Sequence, residues 1–365
     1  MAYEVDFLGV GEESKSGDAI AIRFGNLTGP REEQTIVVID GGFAKDGDAL
    51  VEHIKKHYET DVVDVLISTH PDQDHINGLF PVIENLDVKR LWIHKPWDNP
   101  YGLANLFKDG RVTDNSISAR LKDSLEAAYR LVKLAEDKGI LIQEPFTGLS
   151  YKDVKVLGPS EEYYTNLLTQ LNGMPAAKNI DESMFDKVRG GLEQFIEKTI
   201  KVVRAVWGED KLDNEDGTSA KNNMSVITQI IVDGKRLVFT GDAGITALNA
   251  AADEIDRCQS NATLSFFQVP HHGSRRNVGP NVLNRILGEP VSKGSARNIT
   301  AIASTAKLGE PKHAHKAVLN AFTHRGVKVL STRGRGICHV SGIPLRQGWN
   351  TLEAEQYHTE YDDEQ

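Results

Sequence analysis

Residues 68–79 read STHPDQDHINGL and follow directly on the apolar run DVVDVLI. Within six positions stand His70, Asp72, Asp74 and His75, two imidazoles and two carboxylates at the end of what reads as a buried strand. A tight loop there aims alternate side chains inward, and a sheet holds the loops at its strand ends in fixed relation. Histidine and aspartate at this density form the donor set of a divalent-metal site.

Other strand ends repeat the pattern. Asp40 closes TIVVID before Gly41-Gly42, Asp242 closes RLVFTGD, and His271-His272 follow FFQVP. Asp242 can bridge two metal ions, and a histidine of the 271–272 pair can close the set. Asp40 is either a turn-capping carboxylate before two glycines or a residue that orients ligands from behind.

Working outward, GDAIAIRF and TIVVID read as strands, VEHIKKHY (51–58) as a helix, a second helix follows at about 76–86, and KRLWIH is a further strand. Ile117, Leu121, Leu125, Leu131 and Ala135 fit one helix, and ILIQ and YKDVKVL are short strands. Helical periodicity in EEYYTNLLTQL and from Met184 to Trp207, then the acidic stretch GEDKLDNEDGTSAKNN, mark residues 160–221 as a helical insertion, expected to act as a lid or a partner-docking element at a mobile edge. SVITQIIVDGKRLVFTGD reads as a hairpin turning at Asp233-Gly234. TLSFFQV, ITAIAST and VKVLST are strands, with a helix near 314–325. Strands alternating with helices give an α/β chain with layered sheet and helices. The expected organisation is one domain over residues 1–350 and a frayed acidic tail at 351–365.

These segments resemble the metallo-β-lactamase fold superfamily, and within it the hydrolase domain of ComEC-type competence proteins and its stand-alone relatives. FLGVG…GDAIAI (7–22), VIDGG (38–42), THPDQDHINGL (69–79), NNMSVI (222–227), FTGDAG (239–244), VPHHGS (269–274) and KHAHKAVL (312–319) carry the resemblance in the family's order, over nearly the whole chain. It implies a four-layer αβ/βα sandwich with a site for two divalent ions, zinc or manganese. The implied ligands are His70, Asp72, Asp74, His75, Asp242 and the His271-His272 pair. The chain departs from many superfamily members in having Asp72 where they have histidine, and NNMS where they have a third-motif histidine. More oxygen ligands make the site harder, which brings manganese level with zinc.

Charge adds a substrate class. The net charge is −10, yet residues 271–346 hold thirteen basic residues against two acidic, a balance of +11 that leaves −21 elsewhere. Such asymmetry suggests a face that meets an anion. A metal pair can activate water to hydroxide and stabilise a phosphorane-like transition state, with Asp74 orienting the nucleophile. His313 or His315 is then the group that contacts the scissile phosphate or protonates the leaving oxygen, with Ser274, Arg275, Lys307 and Lys312 as further phosphate contacts. The expected activity is a phosphodiesterase, foremost a nuclease with DNA before RNA as partner. A small-molecule phosphodiesterase, a lactone or thioester hydrolase and a non-catalytic binding subunit are the alternatives.

No apolar run approaches the roughly 18 residues that span a bilayer, and the N-terminus shows no secretory signal. The two cysteines, Cys258 and Cys338, fit neither a disulfide framework nor a zinc ribbon, so a reducing cytoplasmic setting is expected, with a protein partner or a homo-oligomer compatible with it.

Overall fold

The run before the His/Asp loop forms the strand Val65–Ile67, fully buried, whose pleat sends Leu66 to one side and Val65 and Ile67 to the other. Its neighbour Gln34–Gly41 divides in the same way, with Ile36 and Val38 beside Leu66, and Val37 and Ile39 beside Val65 and Ile67. Strands apolar on both faces belong between two covering layers.

The computed structural model describes residues 1–11, 14–98, 102–178, 200–309 and 313–364. Two seven-stranded sheets face each other. The first runs Ile337–Ser341, Ala2–Phe7, Ala19–Gly25, Gln34–Gly41, Val65–Ile67, Arg90–Trp92, Leu141–Gln143. It is antiparallel as far as Gln34–Gly41 and parallel beyond. The second runs Lys328–Ser331, Thr300–Ala303, Thr263–Gln268, Lys235–Phe239, Ile227–Val232, Val154–Gly158, Ser150–Tyr151, with its first four strands parallel.

Three apolar clusters lie between four layers. Phe7, Phe24, Trp92, Phe239 and Phe266 fill the space between the sheets. The outer face of the first sheet is covered by Ala44–His53, Leu79–Asn85, Asp114–Ser124 and Glu126–Asp137. The outer face of the second is covered by Ile245–Arg257, Pro280–Leu287 and Lys316–Thr323. This is the expected αβ/βα sandwich, and the loops at the carboxyl ends of the parallel strands from both sheets converge at one edge.

Local differences from the sequence reading have local causes. The helix expected at about 76–86 is two, Gln73–Ile76 and Leu79–Asn85. They part at Gly78, which packs so closely on the Gly41 carbonyl that a Cβ would overlap it. The helix through Ile117 and Ala135 also divides, at Leu125, whose φ of −118° and ψ of 36° are not helical. The Asp233-Gly234 turn is as read, both residues at positive φ.

The larger differences concern the insertion and the tail. Glu161–Leu168 is helical, but Tyr164, Leu167 and Leu168 belong to the core of the first layer. Residues 179–199, about a third of the expected lid, lie outside the described residues. The helix expected up to Trp207 is contradicted at Ile200–Arg204, a strand whose β-branched residues favour that state. Its partner is Glu360–Glu364, so the acidic tail is paired instead of frayed. Tyr361 is buried there, and Asn320 exchanges two 2.7 Å hydrogen bonds with the backbone of His358. The acidic stretch is irregular over 208–219, ends in a one-turn helix, and is anchored: Asp210 pairs with the fully buried Arg325 at 2.6 Å, and Asp216 accepts from Thr246 N at 2.8 Å. No helix among the described residues is long and apolar enough to cross a membrane.

Gly78→Ala should therefore lower stability by about 2 kcal/mol or more, since backbone carbonyl cannot yield as a side chain does. Urea unfolding of variant and parent measures the difference; equal midpoints would contradict the close approach.

Candidate metal centre

Strand Gln34–Gly41 ends in Asp40, a buried carboxylate at φ 54°. Its Oδ1 accepts from Thr69 N at 2.8 Å, and its Oδ2 takes Thr69 Oγ1 at 2.5 Å and His75 Nδ1 at 2.8 Å. Of the two sequence readings, this geometry fits the residue that orients a ligand. His75 Nδ1 is engaged, which leaves Nε2 directed at Asp242. His70 behaves alike: Nδ1 lies 3.0 Å from Thr69 Oγ1 and 3.3 Å from Ser225 Oγ, and Nε2 faces the same carboxylate.

The two oxygens of Asp242 divide the cluster. Oδ2 lies 3.6 Å from His70 Nε2 and 3.4 Å from His271 Nε2. Oδ1 lies 3.5 Å from His75 Nε2 and 3.9 Å from His272 Nε2. Asp72 Oδ2 adds to the first half, 3.6 Å from His70 Nε2, and Asp74 Oδ2 to the second, 3.8 Å from His272 Nε2. Both His271 and His272 have positive φ, 47° and 56°, and this left-handed pair of residues sends consecutive rings to opposite halves. The sequence left open which histidine serves which half; the geometry separates them.

Whether these residues fit divalent ions can be tested on the polar atoms. His70 Nε2, His75 Nε2, Asp242 Oδ1, Asp18 Oδ1 and both ring nitrogens of His272 are buried without a hydrogen-bond partner. Orphaned polar atoms cost about 1–3 kcal/mol each, and here they converge, as ligand atoms would. Three groups of four-ångström scale emerge: Asp40, His70 and His75; Asp74, His75 and His272; and Asp18, Asp242 and His272, the ligand atoms in each within 4.8 Å of one another.

The electrostatics agree. Burial lifts Asp18 to about 7 against the pull of His75, and Asp242 and Asp40 add to the rise. Burial also works against the charged ring of His75, but Asp242, Asp40 and Asp74 outweigh it and hold His75 well above the usual range. Burial would raise Asp242 too; His271, His75, His272 and His70 together hold it well below the usual carboxylate range. The residues fit divalent cation binding.

Some of the surroundings were not singled out in the sequence. Asp18, only 1% exposed, enters from the start of Ala19–Gly25, with Oδ2 held by Gln268 Nε2 at 2.8 Å. In the sequence it stands at the start of GDAIAIRF, a segment read as a strand, and no feature there distinguishes its carboxylate. Asn222, in the NNMS segment, has its Nδ2 3.5 Å from Asp242 Oδ2 and 3.4 Å from His271 Nε2. Lys221 Nζ pairs with Asp72 Oδ1 at 2.5 Å.

The proposed phosphate contacts are spread unevenly. The His313 ring lies 5.7 Å from that of His271 and 5.8 Å from that of His272. His315 instead begins the helix Lys316–Thr323, its Nδ1 accepting from Ala317 N at 3.2 Å and its ring 5.9 Å from Tyr361. Gly273 and Ala314 are in tight contact, which joins the HHGS and HAH segments. Ser274 and Arg275 follow directly on this turn, half-buried, and Lys307 is exposed on the loop that leads to His313. Lys312 lies outside the described residues.

The +11 balance does not translate into one open basic face. Arg325 is fully buried on Asp210, Arg346 makes two 2.7 Å hydrogen bonds to Asp6, Arg285 bridges Asp253 and Asp256, and Arg333 meets Glu355 at 2.8 Å. Counting charges along the chain is blind to such pairing.

Residues 31–120, which include the His70–His75 loop, match the family model described as "Metallo-beta-lactamase superfamily". No curated protein sequence matches the chain. Among solved structures it is similar to the metallo-beta-lactamase fold protein YhfI from Bacillus subtilis, at 9% identity and a TM-score of 0.42 over 93% of this chain and 100% of that one. It is also similar to a diphosphatase from the PhnP family, at 8% identity and a TM-score of 0.35 over 100% and 98%. A third is a motif mutant of a metallo-beta-lactamase from Cronobacter sakazakii, at 12% identity and a TM-score of 0.30 over 72% and 74%.

Asp40→Asn should weaken divalent-metal affinity by about 10- to 100-fold while the fold persists, because it loosens His75 and the Thr69 turn without removing a facing atom. Metal titration followed by calorimetry, beside circular dichroism, reads both; unchanged affinity would remove Asp40 from the orienting role.

Proposed function

Taking as premise the metallo-β-lactamase fold of this chain, we propose that it is a metal-dependent phosphodiester hydrolase acting on DNA. The observation that carries this reading is the shared Asp242 carboxylate, with His70 and His271 at one oxygen and His75 and His272 at the other. His70, Asp72, His271 and Asp242 would hold one ion, and Asp74, His75, His272 and Asp242 the other. Such a pair, zinc or manganese, supplies Lewis acidity that activates water near neutral pH and charge that offsets a phosphoryl transition state.

The remaining steps belong to the chain's own side chains. Asp74 is 31% exposed, so it can accept a hydrogen bond from the attacking water on the open side of the cluster. His313, beside His271 and His272, is placed to contact a non-bridging oxygen or to give a proton to the leaving oxygen. His315 is the less favoured of the two, because its Nδ1 caps a helix. Arg275, Lys307 and Ser274 supply contacts to the scissile or flanking phosphates.

The internal pairing of Arg285, Arg325 and Arg346 favours a second reading, a small phosphodiester substrate that needs few contacts. Salt separates the two. On duplex DNA each displaced counterion steepens the log–log dependence of affinity by about 0.9. A nuclease that grips DNA through several bases, the exposed Arg276 and Lys307 among them, should show a steep slope, and a small-substrate enzyme a shallow one. Plasmid, single strands and bis-p-nitrophenyl phosphate are offered with manganese, zinc or EDTA. Cleavage of a phosphodiester that EDTA abolishes is expected, and Asp74→Ala should lower kcat by about 100-fold or more. Rapid turnover of the small diester with salt-insensitive or absent DNA cleavage would select the second reading; no metal-dependent cleavage of either would overturn both.

A further inference from the structure

We propose that Lys221 is an internal competitor for cation at the His70 half of the cluster, so that this half exchanges its ion while the His75 half retains it. The inference rests on the reading that the cluster takes two divalent ions, and goes beyond it by making the positions unequal.

The two halves differ in what surrounds their carboxylates. In the His70 half, Asp72 presents Oδ2 to His70 and Oδ1 to Lys221 Nζ, 2.5 Å away, so one carboxylate is shared between a ligand position and an ammonium. Asp72 and Lys221 are 29% and 38% exposed, which leaves this half open to water. Its further neighbour is the Asn222 side chain, an uncharged amide where an imidazole or carboxylate would bind more strongly. In the His75 half, Asp74 is as exposed as Asp72, at 31%, but among the described residues no ammonium shares its carboxylate. His75, His272 and Asp242 are at most 3% exposed, and Asp18 adds a further buried carboxylate within 4.8 Å of Asp242 and His272.

Lys221 is also not a wandering surface lysine. It lies in the one-turn helix Ala220–Asn223, whose first turn is closed by Ser219 Oγ accepting from Asn222 N at 3.1 Å. The next residue but one, Asn223, is fully buried and accepts from Gly244 N at 3.0 Å, two positions beyond Asp242. The turn that carries the ammonium is thus fastened to the loop that carries the shared carboxylate. A cation entering the His70 half must share Asp72 with the ammonium of Lys221, and Coulomb repulsion at a water-like dielectric over about 5 Å weakens its binding by about tenfold.

The test uses the EDTA-stripped full chain, dialysed to equilibrium against graded free manganese and, separately, zinc, with bound metal counted by elemental analysis. Two classes of site are expected in the parent, and Lys221→Met should tighten the weaker class by about tenfold while leaving the tighter class unmoved. Lys221→Arg keeps the charge and should bind as the parent does. Asp72→Asn should lose the weaker class alone. If Lys221→Met does not fold, as judged by circular dichroism, Lys221→Gln takes its place with the same expectation. Two classes that neither neutral variant shifts, or a shift of the tighter class instead, would overturn the inference while leaving the two-ion reading intact. A chain that binds no divalent metal at any concentration would overturn both.

Discussion

The Asp242 carboxylate, presented with both oxygens toward different histidines, is the constraint on which the rest of the centre depends. Its backbone is fixed from three sides. Ser225 Oγ accepts from Asp242 N at 3.0 Å, Asn277 Nδ2 donates to Asp242 O at 2.8 Å, and Gly241 before it sits at φ 51° with Thr69 close against its Cα. Asn277 has a second task, because its Oδ1 lies 2.9 Å from His271 Nδ1. One side chain therefore touches both the backbone of Asp242 and a ring that faces its carboxylate, and so couples the two across this half of the cluster.

The fold makes this possible by bringing strand ends from two sheets to one edge. His70 and His75 follow Val65–Ile67 of the first sheet, while Asp242 and His271-His272 follow neighbouring strands of the second. A packed layer containing Phe7, Phe239 and Phe266 holds the sheets at a set separation. Close-packed interiors resist the small displacements that would spoil ångström-scale geometry. The burial has a cost: the facing nitrogens and oxygens lie desolvated without hydrogen-bond partners, a loss that a bound cation would offset.

Much of this was legible in the chain because the determinants are contiguous. His70, Asp72, Asp74 and His75 share one loop, and the apolar runs before each cluster announce the strands that carry them. What was not legible depends on pairing at a distance. Asp18 lies 56 residues before Asp74, whose carbonyl accepts its N–H at 3.2 Å, and nothing in a GDA turn announces a buried carboxylate. The basic segment misled for the same reason: Arg346 answers Asp6, and Arg325 answers Asp210 in the acidic stretch read as a loose edge. The tail, too, found its partner strand about 160 residues away.

Burial across the centre also sets a direction. His70 and His75 are wholly enclosed, and His272 nearly so, while Asp72, Asp74 and His271 are each about 30% exposed. Of these groups, His271 has the His313 ring beside it, as has His272. The exposed groups are the least desolvated of the cluster and the easiest to rearrange. The buried histidines behind them, tied to Asp40, Thr69 and Ser225, supply the fixed frame. Division into a buried back and a more exposed front confines the cost of burial to the groups whose geometry is most tightly held, while the turn that carries His271 and His272 is kept in place by the packing of Gly273 on Ala314.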